Sequence, residues 1–387
     1  MKKKIAVVIV FITILVLPML TWPIASQFNL PTLEENREKA AFPEFGNDVF
    51  SQFDAYFADR APYRDLLIKM YKNIELKLAL LYARMLPHNN GSDYFTAINN
   101  VIIGQNDWLF YSADNSVEYY KGTNLPSEAE LREYVSRAEK VNNYFKAQGK
   151  EFVIVVAPNK EQIYSEYMPE GIRVINTVKR VDFIYNYFKT HSDVTVIYPK
   201  EELIAAKENR ETYYQQDTHW NGYGAYIGAG LIFDALQIPL GNANITAIPW
   251  EGGDLTILSA MEPSKYTDYY VAYRQDVTIK YLVSVEDEFV LESSNKNGKK
   301  LLVLGDSFIL GEPEKIDEVS RVGMKEILAK EFEHSIINHR DTFTEGGDYT
   351  AEFAEAATVI FEAVERYETS IFEDWGILQY FIDLYGL

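Results

Sequence analysis

Leu301-Leu302-Val303-Leu304-Gly305-Asp306-Ser307 is the stretch on which the fold reading turns. Four apolar residues running into a Gly-Asp turn read as a strand buried on both faces, as in a parallel sheet. A serine on the turn after such a strand stands at the carboxyl edge of the sheet, where open α/β folds bind ligands. Serine is a weak nucleophile unless a positioned base takes its proton. The chain offers that base upstream, in Asp217-Thr218-His219-Trp220-Asn221. Two residues apart on an extended segment, Asp217 and His219 point to the same side. Asp217 can accept the Nδ1–H of His219 and leave Nε2 to act on Ser307. Acid, base, nucleophile is one of the known triad orders, though order alone identifies no fold. Backbone N–H groups just after the strand can supply an oxyanion hole. Each piece also has a plainer reading: Asp-x-His as a helix cap with a structural histidine, Gly-Asp-Ser as an ordinary turn. Their joint occurrence, with the strand before Ser307, favours the catalytic reading.

Outward from this stretch, strands alternate with helices. Phe152–Val156, Val194–Tyr198, Ser335–Asn338 and Val359–Val364 read as strands, the last closing the sheet. Helical patterns cover Val178–Lys189, Gly222–Leu236, Lys325–Phe332 and Ala351–Ala356, and Ser127-Glu128-Ala129-Glu130 reads as a capping box opening a helix to about Gln148. Val277–Val283 with Phe289–Leu291 suggests an antiparallel pair, and Val101–Gly104 with Trp108–Tyr111 a hairpin. The expected fold is α/β, a mainly parallel sheet flanked by helices. Trp220 reads as a packing residue that also excludes water.

The amino end speaks to location. Lys2-Lys3-Lys4 precedes an uncharged apolar run from Ile5 to Ile24, about the length that spans a hydrocarbon core. Residues 1–26 are expected to be a membrane anchor, with a cleavable signal peptide as the alternative; either leaves the remainder outside the cytoplasm. Residues 27–95 read as a linker and two helices broken at Ala61-Pro62, and residues 96–387 as the α/β domain.

Composition removes whole classes of function. A formal charge of −20 argues against nucleic acid, whose phosphates require clustered Lys and Arg. With no cysteine, disulfides, thiolate metal sites and cysteine nucleophiles are all excluded. The five histidines form no H-x-x-x-H pair, so no metal centre is expected. No phosphate-binding glycine motif is present and no cofactor is expected. Pro158-Asn159-Lys160 follows the Phe152–Val156 strand and also belongs at the carboxyl edge. Asn159 and Lys160 can bind substrate hydroxyls or an oxyanion there, or can simply begin a helix.

Asp217-Thr218-His219-Trp220-Asn221 with Gly305-Asp306-Ser307-Phe308 resembles the SGNH hydrolase-like domain of the alginate acetylation proteins AlgX and AlgJ. It is similar too to the DHHW proteins, with Thr218 where that name has its first His. Glu35-Asn36-Arg37 before Phe42-Pro43, Phe57-Ala58-Asp59-Arg60, Tyr63-Arg64, the Val101–Tyr111 hairpin, Pro158 to Tyr164, and Val364-Glu365-Arg366 extend the resemblance over most of residues 35–366. The resemblance implies an exported or membrane-anchored enzyme that transfers acetyl groups to polysaccharide hydroxyls. The acetyl groups would come from a membrane-bound O-acyltransferase partner. By the same resemblance Ser307 is nucleophile, His219 base and Asp217 orienter. Two departures limit it: the carbohydrate-binding module that follows the AlgX domain has no counterpart after Arg366, and Phe308 to Pro313 matches no substrate-side loop of the family. A carbohydrate acetyl esterase, or a non-catalytic glycan-binding or assembly protein of the same fold, are the alternatives.

Overall fold

A computed structural model describes residues 5, 11–13, 16, 20–21, 39–43, 48–85, 95, 97–285, 288–311, 315–316, 319–320 and 323–387. Its centre is a seven-stranded sheet in the order Thr195–Ile197, Glu151–Ala157, Thr358–Val364, Lys300–Gly305, His334–His339, Glu288–Ser293, Ile279–Val285. The first five strands are parallel to one another. The last two add antiparallel at one edge, so the sheet is mixed rather than parallel throughout. Thr358–Val364 does not close the sheet, as its position last in sequence suggested. It lies in the middle, paired to Glu151–Ala157 on one side and Lys300–Gly305 on the other. All seven of its residues are buried, which fits a strand with neighbours on both sides and helices on both faces.

Alternation along the strands sorts side chains between two cores. Val153, Val155, Val303 and Ile360 face one layer, with Phe110, Ile232 and Phe233. Phe152, Ile154, Leu302, Leu304 and Phe361 face the other, with Tyr134, Phe145 and Phe381. The helix Glu128–Lys146 belongs to the second layer and starts at the expected capping box. Ser127 Oγ accepts from Glu130 N–H at 3.3 Å, and Ser127 N–H donates to Glu130 Oε2 at 2.7 Å. Burying its stripe of Leu131, Tyr134, Ala138, Val141 and Phe145 contributes roughly 1.5–3 kcal/mol per large side chain. The helix Gly222–Ala235 packs in the first layer and carries a two-stranded ribbon, Ala243–Glu251 with Lys265–Tyr273, that the sequence did not announce. The hairpin Val101–Ile103 with Leu109–Tyr111 forms as expected.

Helices Val49–Arg60 and Arg64–Met85 flank the expected break at Ala61-Pro62. Of the expected membrane anchor, residues 1–26, all but residues 5, 11–13, 16 and 20–21 lie outside the described residues. Among the described residues no helix is long and apolar enough to cross a membrane.

Candidate active site

The strand Lys300–Gly305 delivers Ser307 to the carboxyl edge through a turn held by backbone and charge together. At Gly305 a Cβ would meet Glu362 Oε2 at 2.7 Å and displace the carboxylate oxygen that accepts the Asp306 N–H at 2.8 Å. Asp306 then fixes the turn. Its Oδ1 accepts the Phe308 N–H at 3.0 Å, and its Oδ2 accepts the Val364 N–H at 2.8 Å and Arg340 NH1 at 3.0 Å. Burial pushes the Asp306 carboxyl up, but the Arg340 guanidinium and the two N–H donors outweigh it and hold the group below its usual range. Removing either member of so buried an ion pair costs about 3–5 kcal/mol. The cap uses the Phe308 N–H, so of the oxyanion donors expected after the strand the candidate is the N–H of Ser307, at the start of helix Ser307–Leu310.

His219 arrives on a tight loop. Thr212 O accepts the Asn221 N–H at 3.0 Å, Tyr214 N–H donates to His219 O at 3.2 Å, and Tyr213 bridges Trp220. Asn221 caps the helix behind it, its Oδ1 taking the N–H groups of Tyr223 and Gly224 at 3.0 Å each. The three expected side chains converge. His219 Nε2 is 2.8 Å from Ser307 Oγ, and His219 Nδ1 is 2.7 Å from Asp217 Oδ1. The same Asp217 oxygen accepts the His219 backbone N–H at 2.9 Å, which makes the carboxylate a clamp on both ends of the residue.

A second carboxylate, absent from the sequence reading, completes the group. Asp254 opens the helix Asp254–Ser259, and its N–H donates to Asp217 Oδ2 at 3.0 Å. Its own oxygens accept from Thr218 N at 2.8 Å and Thr218 Oγ1 at 2.5 Å, and Oδ2 stands 3.8 Å from His219 Nδ1. The approach requires Gly253, since a Cβ there would lie 2.5 Å from Asp217 Cβ. Asp217, His219 and Asp254 thus bring ligand-type atoms within 4.8 Å of one another. Their oxygens are already engaged by N–H and O–H donors, an arrangement suited to proton handling. Burial disfavours the imidazolium, but the charge and hydrogen bond of Asp217, with the charge of Asp254, overcome it and the opposing Arg366, and raise the His219 pKa. Asp217 is held well below the carboxylate range, because His219 and the surrounding N–H donors outweigh its burial. Asp254, pushed by burial and by the charge of Asp217, rises to about 6.

Asn159 and Lys160 stand at the carboxyl edge after strand Glu151–Ala157, as expected, and take the helix-start alternative: Asn159 caps the helix Lys160–Ile163. Neither lines the cleft, and both are buried. Lys160 Nζ lies beneath the histidine loop and donates to the carbonyls of Asp217 at 2.6 Å, Tyr214 at 3.2 Å and Gln215 at 3.2 Å. Asn159 accepts from Arg366 NH1 at 3.4 Å and gives its N–H to Glu365 Oε2 at 2.9 Å. These bonds tie Lys160 to the histidine loop and Asn159 to Arg366.

Ser307, His219 and Asp254 open into a cleft of about 430 Å³ walled also by Tyr111, Tyr214 and Arg366. The Arg366 guanidinium sits 5.1 Å from the Tyr111 ring, 5.3 Å from Tyr367 and 5.7 Å from Phe308. Trp220, expected as packing, does pack: it is buried against Phe308, rings 5.3 Å apart, and its Nε1–H reaches the Phe308 carbonyl. Asp254 escaped the sequence reading, and Arg366 entered it only as part of the resemblance and not as a site residue, because nothing local marks either; only the pairing of distant segments brings them to the cleft.

Comparison with known proteins agrees with the resemblance. The model of the SGNH hydrolase-like domain of acetyltransferase AlgX matches residues 101–251, which include Asp217, His219 and the first strand of the ribbon and end before Asp254 and Ser307. The protein described as "Probable alginate O-acetylase AlgJ" from Pseudomonas putida is 24% identical over 140 residues, 35% of this chain. The match spans about a third of that relative's length, 34%. Among solved structures, a DHHW family protein from Eubacterium siraeum is 16% identical with a TM-score of 0.48, covering 74% of this chain and 96% of that one. Bacillus cereus PatB1 with a sulfonyl adduct is 18% identical with a TM-score of 0.46, covering 68% and 93%.

Proposed function

We propose that this chain is an extracytoplasmic serine O-acetyltransferase that esterifies hydroxyls of an extracellular or cell-wall polysaccharide through an acyl-Ser307 intermediate. The hydrogen-bonded line from Asp217 through His219 to Ser307, ending in an open cleft, carries this reading. As Ser307 Oγ attacks the carbonyl carbon of a donor ester, its proton passes to His219 Nε2. The carbonyl oxygen becomes an oxyanion facing the Ser307 N–H. Collapse of the tetrahedral intermediate breaks the donor C–O bond, and the imidazolium returns its proton to the leaving oxygen. The steps reverse with a sugar hydroxyl: His219 takes its proton, the sugar oxygen attacks the acyl carbon, and Ser307 leaves as the hydroxyl. Throughout, Asp217 holds Nδ1–H and stabilises the transient imidazolium.

The acceptor class rests on the names of the relatives, an alginate O-acetylase and an acetyltransferase domain. In this reading a membrane-bound O-acyltransferase supplies the acetyl group, and the apolar segment at residues 5–24 keeps the domain beside it. The full chain should transfer acetyl from an activated ester to an oligosaccharide, read by mass spectrometry of the sugar, and Ser307→Ala should abolish transfer. Ester hydrolysis with no sugar acetylation across several acceptors would replace the transferase by an esterase. Activity untouched by Ser307→Ala would end the acyl-serine mechanism.

A further inference from the structure

Within that reading, we propose that Asp254, bridged by Thr218, is a second positioning carboxylate that sets the basicity of His219. The geometry separates it from a mere helix cap. Thr218 Oγ1 donates to Asp254 Oδ2 at 2.5 Å and lies 3.2 Å from His219 Nδ1. The Asp254 backbone N–H is the donor that fixes Asp217 Oδ2, so one residue both orients the primary carboxylate and adds a charge beside the imidazole. Asp254 borders the cleft and its side chain keeps 24% of its exposure, so its proton exchanges with solvent.

Two carboxylates against one imidazole do different jobs. Asp217 takes the Nδ1–H directly, at 2.7 Å. Asp254 acts from 3.8 Å, through its field and through the Thr218 hydroxyl. The charged groups that act on this pair are Asp217 and His219 themselves, Lys160 beneath the loop and Arg366 across the cleft. Lys160 is committed to the loop carbonyls and Arg366 opposes the imidazolium, so Asp254 is the group that reinforces Asp217. Asp254 itself titrates near 6, which places its loss of charge on the acidic side of the working range of a histidine base. Thr218 is the link: a longer side chain at that position, such as the histidine of the DHHW name, would carry different hydrogen-bonding groups to the same carboxylate.

The test is the titration of His219 in the full chain, followed by NMR of ¹³C-labelled histidine in the wild type, Asp254→Asn and Thr218→Val. Asp254→Asn keeps the size of the side chain and removes its charge. The inference expects the His219 pKa to fall by about one unit in Asp254→Asn and by less, in the same direction, in Thr218→Val. The acid limb of kcat/KM should move down in pH by the same amount, while the maximal rate drops about tenfold as imidazolium stabilisation weakens. A His219 pKa unchanged in both variants, with folding intact by circular dichroism, would overturn the inference and reduce Asp254 to a structural cap. The NMR readout needs no turnover, so it decides this point even if Ser307→Ala shows the acyl-serine reading to be wrong.

Discussion

Trp220 Nε1 donates a hydrogen bond to the Phe308 carbonyl at 2.8 Å, tying the residue after His219 to the residue after Ser307. His219 and Ser307 sit on segments far apart in sequence, and their 2.8 Å contact depends on the two loops holding one register. The indole supplies that register, with its ring against Phe308 and its N–H as a fixed strut.

Trp220→Phe should therefore take the indole donor away from the buried Phe308 carbonyl. The expected cost is about 1–3 kcal/mol of stability, read by denaturant unfolding. Because the loops lose register rather than substrate contacts, kcat should fall more than KM rises.

Ser307→Ala and His219→Ala should lower kcat by similar large factors, since each removes the same proton-transfer unit. Asp217→Ala should lower it less. Steady-state kinetics with an activated acetyl ester checks the ranking. A deeper loss in Asp217→Ala than in His219→Ala would contradict the assigned roles.

Lys160→Met distinguishes the observed place of Lys160 from the substrate-binding role expected from sequence. The ammonium holds three loop carbonyls, so its removal should destabilise the fold by about 2–4 kcal/mol and depress kcat with KM little changed. A rise in KM at constant kcat would return Lys160 to the substrate.

Buried acids beneath the cleft give a pH signature. Burial pushes Glu365 up to about 8 and Glu161 up to about 7, both above the ordinary value of 4.5. Groups with raised folded pKa stabilise fully below the unfolded pKa, and that contribution is lost as pH rises toward the folded value. Glu362 and Glu368, also raised by burial, and Asp254, raised to about 6, act in the same sense, so thermal stability should decline as pH rises from about 4 through 8, and Glu365→Gln should flatten the slope. The raised His219 acts in the same sense, and the depressed Asp217 and Asp306 act oppositely, but only at pH below the ordinary aspartate range. A pH series of Tm values for both proteins measures the difference.

The parts of the fold that depend on local pattern were legible. Leu301–Leu304 and Phe152–Val156 announce themselves as buried strands because nothing but a two-sided core suits them, and Ser127 with Glu130 is a complete capping box in four residues. Asp217 and His219 were legible as an acid and a base two residues apart, although they meet in a tight turn closed by the His219 N–H to Asp217 Oδ1 bond and not on an extended segment, and Ser307 was legible because a strand end dictates where it emerges. What failed was long-range order. The central place of Thr358–Val364 follows from pairing between strands distant in sequence, which no apolar run encodes. The ribbon Ala243–Glu251 with Lys265–Tyr273 went unread although its first strand alternates in burial; Pro249 within that strand argues locally against a strand, and its partner lies beyond the helix Asp254–Ser259. Asp254 reaches His219 only because the start of its helix folds back onto Asp217. Lys160 was legible as a residue of the carboxyl edge, but not the three loop carbonyls and nearby carboxylates that make its burial tolerable.

The most direct test of the central claim is mass spectrometry of the full chain, quenched in acid after brief mixing with an activated acetyl ester. The account predicts one acetyl group on the peptide that contains Ser307, absent in Ser307→Ala, retained longer when no sugar acceptor is present and discharged when an oligosaccharide is added. An acetyl group that never appears on that peptide while the ester is still turned over, or that appears equally in Ser307→Ala, would contradict it.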